Sequence, residues 1–288
     1  MGQPTASVAR RMVAKVMRDA RIRHGATVTH AASVAGFTQG TLTKYERAEN
    51  PFPKAVVYRL ADYYGLDSHV RDSLVELASQ KELGWWQNHR EIPDWFAPFV
   101  AFESEAEAVL NYEDGVIPGL LQTEDYARAI LAADIDAGSD DQVEGHVTVR
   151  MQRQKRLTGD SPLQFKAVFN ESALYRSVGD TEVMREQLAS LLERAESPNI
   201  DLRVLPFEAG AHPVTGSNFA LMQFPELLDD VSFGEVVLIE YRTGALYLEK
   251  EQEVDLFSRI FQRLQSQALD QEESVQRILR IRSERFEG

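Results

Sequence analysis

The 288-residue sequence contains no cysteine. Disulfide bonds, zinc sites built from thiolates and catalysis by a cysteine nucleophile are therefore excluded. No apolar run approaches the roughly 20 residues that a membrane-spanning helix requires. The first residues lack the charged and apolar regions of a signal peptide. We therefore expect a cytoplasmic protein that does not associate with a membrane.

The sequence is also poor in the patterns that accompany catalysis. It has neither the Gly-x-Ser-x-Gly turn of serine hydrolases nor the His-Glu-x-x-His helix of zinc proteases. Its six histidines lack the spacing of metal ligands, and no pair of carboxylic acids suggests acid–base catalysis. We therefore expect that the protein is not an enzyme and that it holds no metal ion and no cofactor.

Charged residues are abundant, but they are distributed unevenly. The whole chain carries a formal net charge of −14. Residues 1–60 contain ten Lys and Arg against three Asp and Glu, a net charge of +7, and the remainder carries −21. A basic head on an acidic body is expected where only the head meets nucleic-acid phosphates. A short helical segment can also be basic by chance, so charge alone does not decide the function.

Apolar periodicity divides the chain into two domains. We assign residues 1–82 to an all-α domain of five helices, 83–100 to an aromatic joint, and 101–288 to a larger domain of mixed α/β or α+β class. The helices of the first domain are predicted at about 7–23, 28–35, 39–47 and 54–64 and, after the capping residue Asp67, from 68 onward. The second domain is predicted to contain helices at about 123–133, 140–157, 180–196, 250–268 and 270–286, and strands at about 163–169, 200–205, 218–224, 235–241 and 245–249.

Residues 27–47 have the pattern of two helices joined by a sharp turn. Gly36 permits the left-handed backbone conformation that the turn requires, and Thr38 is a good N-cap for the second helix. Small alanines keep the first helix thin, so the second can pack closely across it. The residues predicted to face the core are Ala31, Ala32, Ala35, Leu42 and Tyr45.

The other face of the second helix is polar. Hydrogen-bonding and cationic side chains recur there at helical spacing, and such groups suit base edges and phosphates when a helix enters the major groove. The residues predicted to contact DNA are Thr38, Gln39, Gly40, Thr41, Thr43, Lys44, Arg47 and Lys54. The alternative is a three-helix core that does not bind DNA.

This stretch resembles the helix-turn-helix of the phage-repressor (XRE) family. The resemblance implies that Glu46 pairs with Arg21 of the first helix and fixes the recognition helix rather than contacting DNA. The sequence departs from the family pattern at two positions. Val28 stands where many members have a phosphate-binding Gln, and Ala48 stands where a Gly usually ends the recognition helix.

The second domain resembles the DUF5753 domain of WhiJ-like, antitoxin-like regulators. The residues that carry the resemblance are 116–128, 150–157, 170–174, 199–206, 216–219 and 239–240. In the first of these motifs, Pro118 and Gly119 predict a turn and Thr123 a helix cap. A phosphate-binding loop is the alternative, but no Gly-Lys-Ser/Thr follows. The resemblance implies a regulator that is often encoded beside a small DUF397-type protein.

Two groups of side chains in or near this domain could bind a ligand or a partner. Arginines recur every third residue on one predicted helix face, where they could meet an anion or simply form a solvated surface. Three tryptophans could line a pocket or pack between the domains. The residues are Arg150, Arg153 and Arg156 in the first group, and Trp85, Trp86 and Trp95 in the second.

We therefore expect a sequence-specific transcription regulator that binds a double-stranded DNA operator through its first domain. The two C-terminal helices are amphipathic, and we expect the second domain to form a homodimer and to respond to a small-molecule effector or a partner. The alternative is an antitoxin-like protein whose main role is to bind a small DUF397-type partner, with DNA binding serving autoregulation.

Overall fold

The computed structural model describes residues 8–79, 85, 92–93, 95–214, 216–225, 234–241 and 244–287. They form two compact units. The first unit draws on three stretches of the chain, 1–87, 97–105 and 224–234, and the second on 88–96, 106–223 and 235–288. The boundary expected from the sequence at residue 100 falls inside a helix of the first unit.

The first unit is helical. Its helices are α1 (Val8–Arg23), α2 (Val28–Ala35), α3 (Gln39–Glu46), α4 (Lys54–Tyr64), α5 (Ser68–Leu77) and α6 (Ala97–Glu105). The first five confirm the predicted five-helix head. The sixth was not predicted, because its buried residues run consecutively from Phe99 to Glu103 instead of forming one stripe.

Large apolar side chains from these helices meet in a common core. Met12 and Met17 of α1, Leu42 of α3, Leu60 of α4 and Leu74 of α5 are each at most 1% exposed. Burial of one such side chain contributes about 1.5–3 kcal/mol to folding. α3 is therefore anchored to the rest of the head through its inner face.

The second unit is built on a six-stranded mixed sheet, which confirms the predicted α+β class. Its strands are β1 (Ala108–Glu113), β2 (Gln164–Asn170), β3 (Ile200–Leu205), β4 (Phe219–Gln223), β5 (Glu235–Tyr241) and β6 (Gly244–Leu248). They lie in the order β3-β2-β1-β4-β5-β6. β1, β2 and β3 are parallel, whereas β4 runs antiparallel to β1 and β5, and β6 antiparallel to β5.

Helices cover this sheet. They are α7 (Glu124–Ala132), α8 (Asp140–Gln154), α9 (Ser172–Tyr175), α10 (Thr181–Ala195), α11 (Glu251–Gln267) and α12 (Gln271–Phe286). The apolar stripe of α11 packs against one sheet face, where Phe261 and Leu264 join Tyr112 of β1 and Val237 of β5 in one cluster. In the part of the chain that the structure describes, no helix is long and apolar enough to cross a membrane.

Candidate nucleic-acid interface

The α2–turn–α3 segment has the geometry that its sequence predicted. Gly36 adopts a φ of 79° at the end of α2, and its backbone N–H donates to the Ser33 oxygen. The Thr38 hydroxyl accepts the Thr41 N–H at 3.3 Å and so caps α3. Ala31 and Ala32 are at most 1% exposed. The turn is therefore tight, and α3 packs directly over α2.

The outer face of α3 is open to solvent. Gln39, Gly40 and Lys44 are exposed, as is Arg47 just after the helix, while Thr41 and Thr43 are half-buried. Lys54 is exposed in the first turn of α4. The predicted DNA-contacting residues thus lie on α3, at its two ends and at the start of α4.

Several of the polar side chains on this face are already engaged with one another. Thr29 of α2 donates to the Gln39 side-chain oxygen at 3.1 Å. The Thr43 hydroxyl donates to the Gln39 backbone oxygen at 2.9 Å. The hydroxyls of Thr38 and Thr41 lie 3.0 Å apart. The sequence analysis did not identify Thr29, although this residue directly follows Val28, the position at which many family members have Gln.

Arg21 of α1 and Glu46 at the end of α3 form a bidentate ion pair. The Nε–Oε1 and Nη2–Oε2 distances are 2.7 and 3.0 Å, and the two side chains are 11% and 7% exposed. Hydrogen bonding to Glu46 raises the pKa of Arg21 above its usual value. Arg21 also donates to the Ala26 oxygen at 3.0 Å. This pair ties the C-terminal end of α3 to α1 and to the loop before α2.

The end of α3 carries a backbone conformation that alanine rarely adopts. Ala48 has a φ of 55°, and it is the single residue other than glycine with positive φ in the described part of the chain. Its N–H donates to the Tyr45 oxygen and the Glu49 N–H to the Lys44 oxygen, both at 2.9 Å. This is the hydrogen-bond pattern in which glycine usually ends a helix.

The three arginines predicted to share one helix face lie on α8 and in the turn that follows it. α8 ends at Gln154, and Arg156 lies in a short 3₁₀ turn after it. Its guanidinium donates to two backbone oxygens, at 2.8 and 3.2 Å, and so serves to hold loops in place. The prediction that Arg150, Arg153 and Arg156 together bind a ligand or a partner stays a prediction.

The tryptophans do not fall into one described cluster. Trp86 lies outside the described residues, and Trp85 and Trp95 belong to different compact units. Trp95 stacks edge-on against Phe96, with ring centres 5.4 Å apart, and its backbone oxygen accepts the Tyr247 hydroxyl at 2.9 Å. The predicted pocket or joint of three tryptophans therefore remains a prediction.

The motif at 116–128 consists of a loop with a short 3₁₀ turn, followed by the first turn of α7, and three buried glutamines bind the backbone of the loop. Gln122 donates to one loop oxygen at 2.7 Å, and Gln154 of α8 donates to two more at 2.7 and 3.1 Å. Gln187 of α10 donates to a further loop oxygen and accepts the Thr123 N–H, both at 2.8 Å. Thr123 caps α7, as the sequence predicted. Gln187 carried no sequence signal, because α10 is far away in the chain.

A family model described as a domain of unknown function, DUF5753, matches residues 96–280. The chain belongs to the DUF5753 family. In this DUF5753 protein a second model, a helix-turn-helix domain, matches residues 13–74, which include α2 and α3. This domain indicates DNA binding and a regulatory role. No curated protein and no solved structure matches the chain.

Proposed function

We propose that the protein is a sequence-specific transcription regulator of the phage-repressor (XRE) type that places α3 in the major groove of its operator. The observation that carries the proposal is the exposed polar face of α3, on a helix whose far end is held by the Arg21–Glu46 pair. The major groove of B-DNA admits an α-helix and displays a distinct donor and acceptor pattern for each base pair.

The exposed side chains divide by the chemistry they offer. Gln39 and Lys44 can donate to purine N7 and O6 atoms, and the methyl group of Thr43 can contact a thymine methyl. Arg47 and Lys54 are exposed cations beside this face and suit phosphates, which fix the register of a protein on the duplex. Base reading and backbone binding are thus assigned to different residues.

We also propose that the protein acts as a homodimer through its second unit. One recognition helix contacts only a few base pairs, and proteins of this class bind paired half-sites about one helical turn apart. Phe261 of α11 and Ile278 of α12 are at most 1% exposed, whereas Leu279 of α12 is 40% exposed. Leu246 on β6, the last strand of the described sheet, is 50% exposed. The exposed apolar residues on α12 and β6 are therefore the candidates for a pairing surface.

The function is tested by chromatin immunoprecipitation followed by footprinting with the purified full-length protein. We expect two protected half-sites about one helical turn, roughly 34 Å, apart. Binding that shows no preference among DNA sequences would contradict the proposal. Light scattering on the same sample tests the dimer, and a monomer at the concentration that protects the operator would contradict it.

A further inference from the structure

Gly40 stands at a position where the fold of the head does not require a glycine. It is the second residue of α3, it is exposed, and its backbone is helical, a conformation that residues with a side chain adopt readily. A Cβ added to Gly40 would stand 4.0 Å from the Thr38 Oγ1 atom, which is an ordinary van der Waals contact. Alanine would therefore fit at this position without strain.

A glycine in α3 also weakens the helix. Glycine loses more conformational freedom on folding than any other residue, and it is a poorer helix former than alanine. Gly36 and Gly65 of the same unit have positive φ values of 79° and 71° at helix ends, where glycine is favoured. Gly40 has no such reason. Glycine is also used where another molecule approaches the backbone closely, and this use fits an exposed helix face.

The polar side chains next to Gly40 are hydrogen-bonded to other groups. The Gln39 amide oxygen accepts the Thr29 hydroxyl of α2 at 3.1 Å, and the Thr43 hydroxyl donates to the Gln39 backbone oxygen at 2.9 Å. Thr43 and Lys44 follow Gly40 by three and four residues, so they are its neighbours on the helix surface. Gly40 is thus a gap in the polar face of α3, bounded by Gln39, Thr43 and Lys44, which we name the Gly40 hollow.

The Gly40 hollow suits an apolar group of DNA. Glycine has no side chain that could hydrogen-bond, so a group beside its Cα gains van der Waals contact alone. In helix-turn-helix proteins the N-terminal residues of the recognition helix contact base edges in the major groove. The C5 methyl of thymine is the apolar group displayed there. A methyl group is also what alanine would add at this position, so the hollow has room for one.

We propose that the Gly40 hollow receives the C5 methyl group of one thymine in each half-site of the operator. A cytosine at that position would leave the hollow empty, and a side chain on residue 40 would occupy the space of the methyl group. Gly40 is therefore a specificity-determining residue although it has no side chain. The inference rests on the proposed function, because it requires α3 to lie in the major groove.

Gly40→Ala should separate stability from DNA binding. The added methyl group favours the helix, so the melting temperature of the full-length protein should stay equal or rise by a few degrees. The same methyl group fills the hollow, so the affinity for the operator should fall about tenfold, within the usual effect of losing one base contact. Thermal unfolding followed by circular dichroism and fluorescence anisotropy measure the two quantities. A lower melting temperature, or an unchanged affinity, would overturn the proposal.

The control variant makes a similar change of helix propensity away from α3. Ser73 lies on α5 and is half-buried. Ser73→Ala replaces a poorer helix former by alanine and should keep the operator affinity of the parent. A loss of affinity equal to that of Gly40→Ala would show that a more stable head binds DNA less well, and it would overturn the role of the hollow.

Operator DNA with deoxyuridine in place of single thymines identifies the methyl group, because deoxyuridine lacks only the C5 methyl. At one position in each half-site this replacement should weaken binding of the parent but not of Gly40→Ala, so that the difference between the two proteins shrinks. Replacement of the other thymines should leave the ratio of the two affinities unchanged. A ratio that stays the same for every thymine would contradict the assignment.

The parent protein on unmodified DNA separates this inference from the proposed function. If the parent binds all DNA sequences equally well, the proposed function fails, and the thymine assignment fails with it. If the parent selects its operator and Gly40→Ala binds that operator equally well, the placement of α3 in the major groove stands and the role of the Gly40 hollow is refuted.

Discussion

Thr29 of α2 donates its hydroxyl hydrogen to the side-chain oxygen of Gln39, the first residue of α3, over 3.1 Å. The bond orients the Gln39 amide, because the oxygen faces α2 and the N–H₂ group is left for the base contact that the proposed function assigns to Gln39. A side chain that is already oriented loses less conformational entropy when it binds. Thr29 is therefore a positioning residue for Gln39.

Gln39→Ala should weaken binding to the operator by about 1–3 kcal/mol. Thr29→Val, which removes only the hydroxyl, should weaken it less, because the amide remains but is no longer oriented. Fluorescence anisotropy against the operator and against random DNA measures both effects. Equal losses on the two DNAs would show that Gln39 contacts phosphate rather than a base.

Glu46→Ala should cost about 3–5 kcal/mol of unfolding free energy, because it leaves the Arg21 guanidinium buried without its partner. The matched control is Glu49→Ala, which breaks an exposed pair to Arg47 at 3.8 Å and should cost at most about 1 kcal/mol. Urea unfolding followed by circular dichroism measures both. Equal unfolding free energies of the two variants would contradict the structural role assigned to the Arg21–Glu46 pair.

Ala48→Gly should stabilise the head by about 0.5–1 kcal/mol. Glycine removes the strain of about 1–2 kcal/mol that a left-handed conformation imposes on other residues, and part of this gain is lost to the greater flexibility of the unfolded chain. Gly65→Ala is the reverse control, since Gly65 has a φ of 71° and open space around its Cα. Differential scanning calorimetry should show a higher melting temperature for Ala48→Gly and a lower one for Gly65→Ala than for the parent protein.

Stability of the second unit should fall as pH rises through the range set by Glu113. Its pKa is about 8 in the folded protein against 4.5 in the unfolded chain. Between these values the folded state binds one more proton, so stability decreases with pH by at most about 1.4 kcal/mol per unit. The stabilising contribution is full below pH 4.5 and is lost above about 8.

Glu113→Gln should flatten this pH dependence, because the amide does not ionise. Burial is the largest cause of the raised pKa of Glu113, the charge of Glu240 raises it further, and the charges of Arg150 and Arg153 lower it. Glu240→Gln therefore serves as the comparison that removes the like charge. The test is to measure the melting temperatures of the parent and of both variants between pH 5 and 9. Parallel curves for the parent and Glu113→Gln would contradict the assignment.

The helix-turn-helix could be predicted closely from the sequence because its signals are local. Gly36, Thr38 and the alanines of α2 each act within a few residues, so a short window contains the cause of the structure. The missed helix α6 shows the limit of this approach. Its apolar residues surround the helix, and a pattern without a polar face does not distinguish helix from loop or strand.

The proximity of Glu113 and Glu240 could not be predicted in the same way. Glu113 and Glu240 are far apart in the sequence, and only the pairing of β1 and β5 with β4 brings them into one row. β1 itself was not predicted, since Asn111 and Glu113 interrupt its apolar residues. Arg150 and Arg153 stood out in the sequence because arginine recurs there at every third residue. The groups that surround them are set by the tertiary structure and could not be predicted.

The three-part composition of the first unit has a consequence for synthesis. Phe224 follows β4 in the chain and belongs to the first unit, where its ring centre lies 5.8 Å from that of Phe102 of α6. At about 5–20 residues per second on the ribosome, Phe224 emerges many seconds after α1–α5. The nascent head therefore remains unfinished until most of the second unit has been translated, which delays its full stability until the chain is nearly complete.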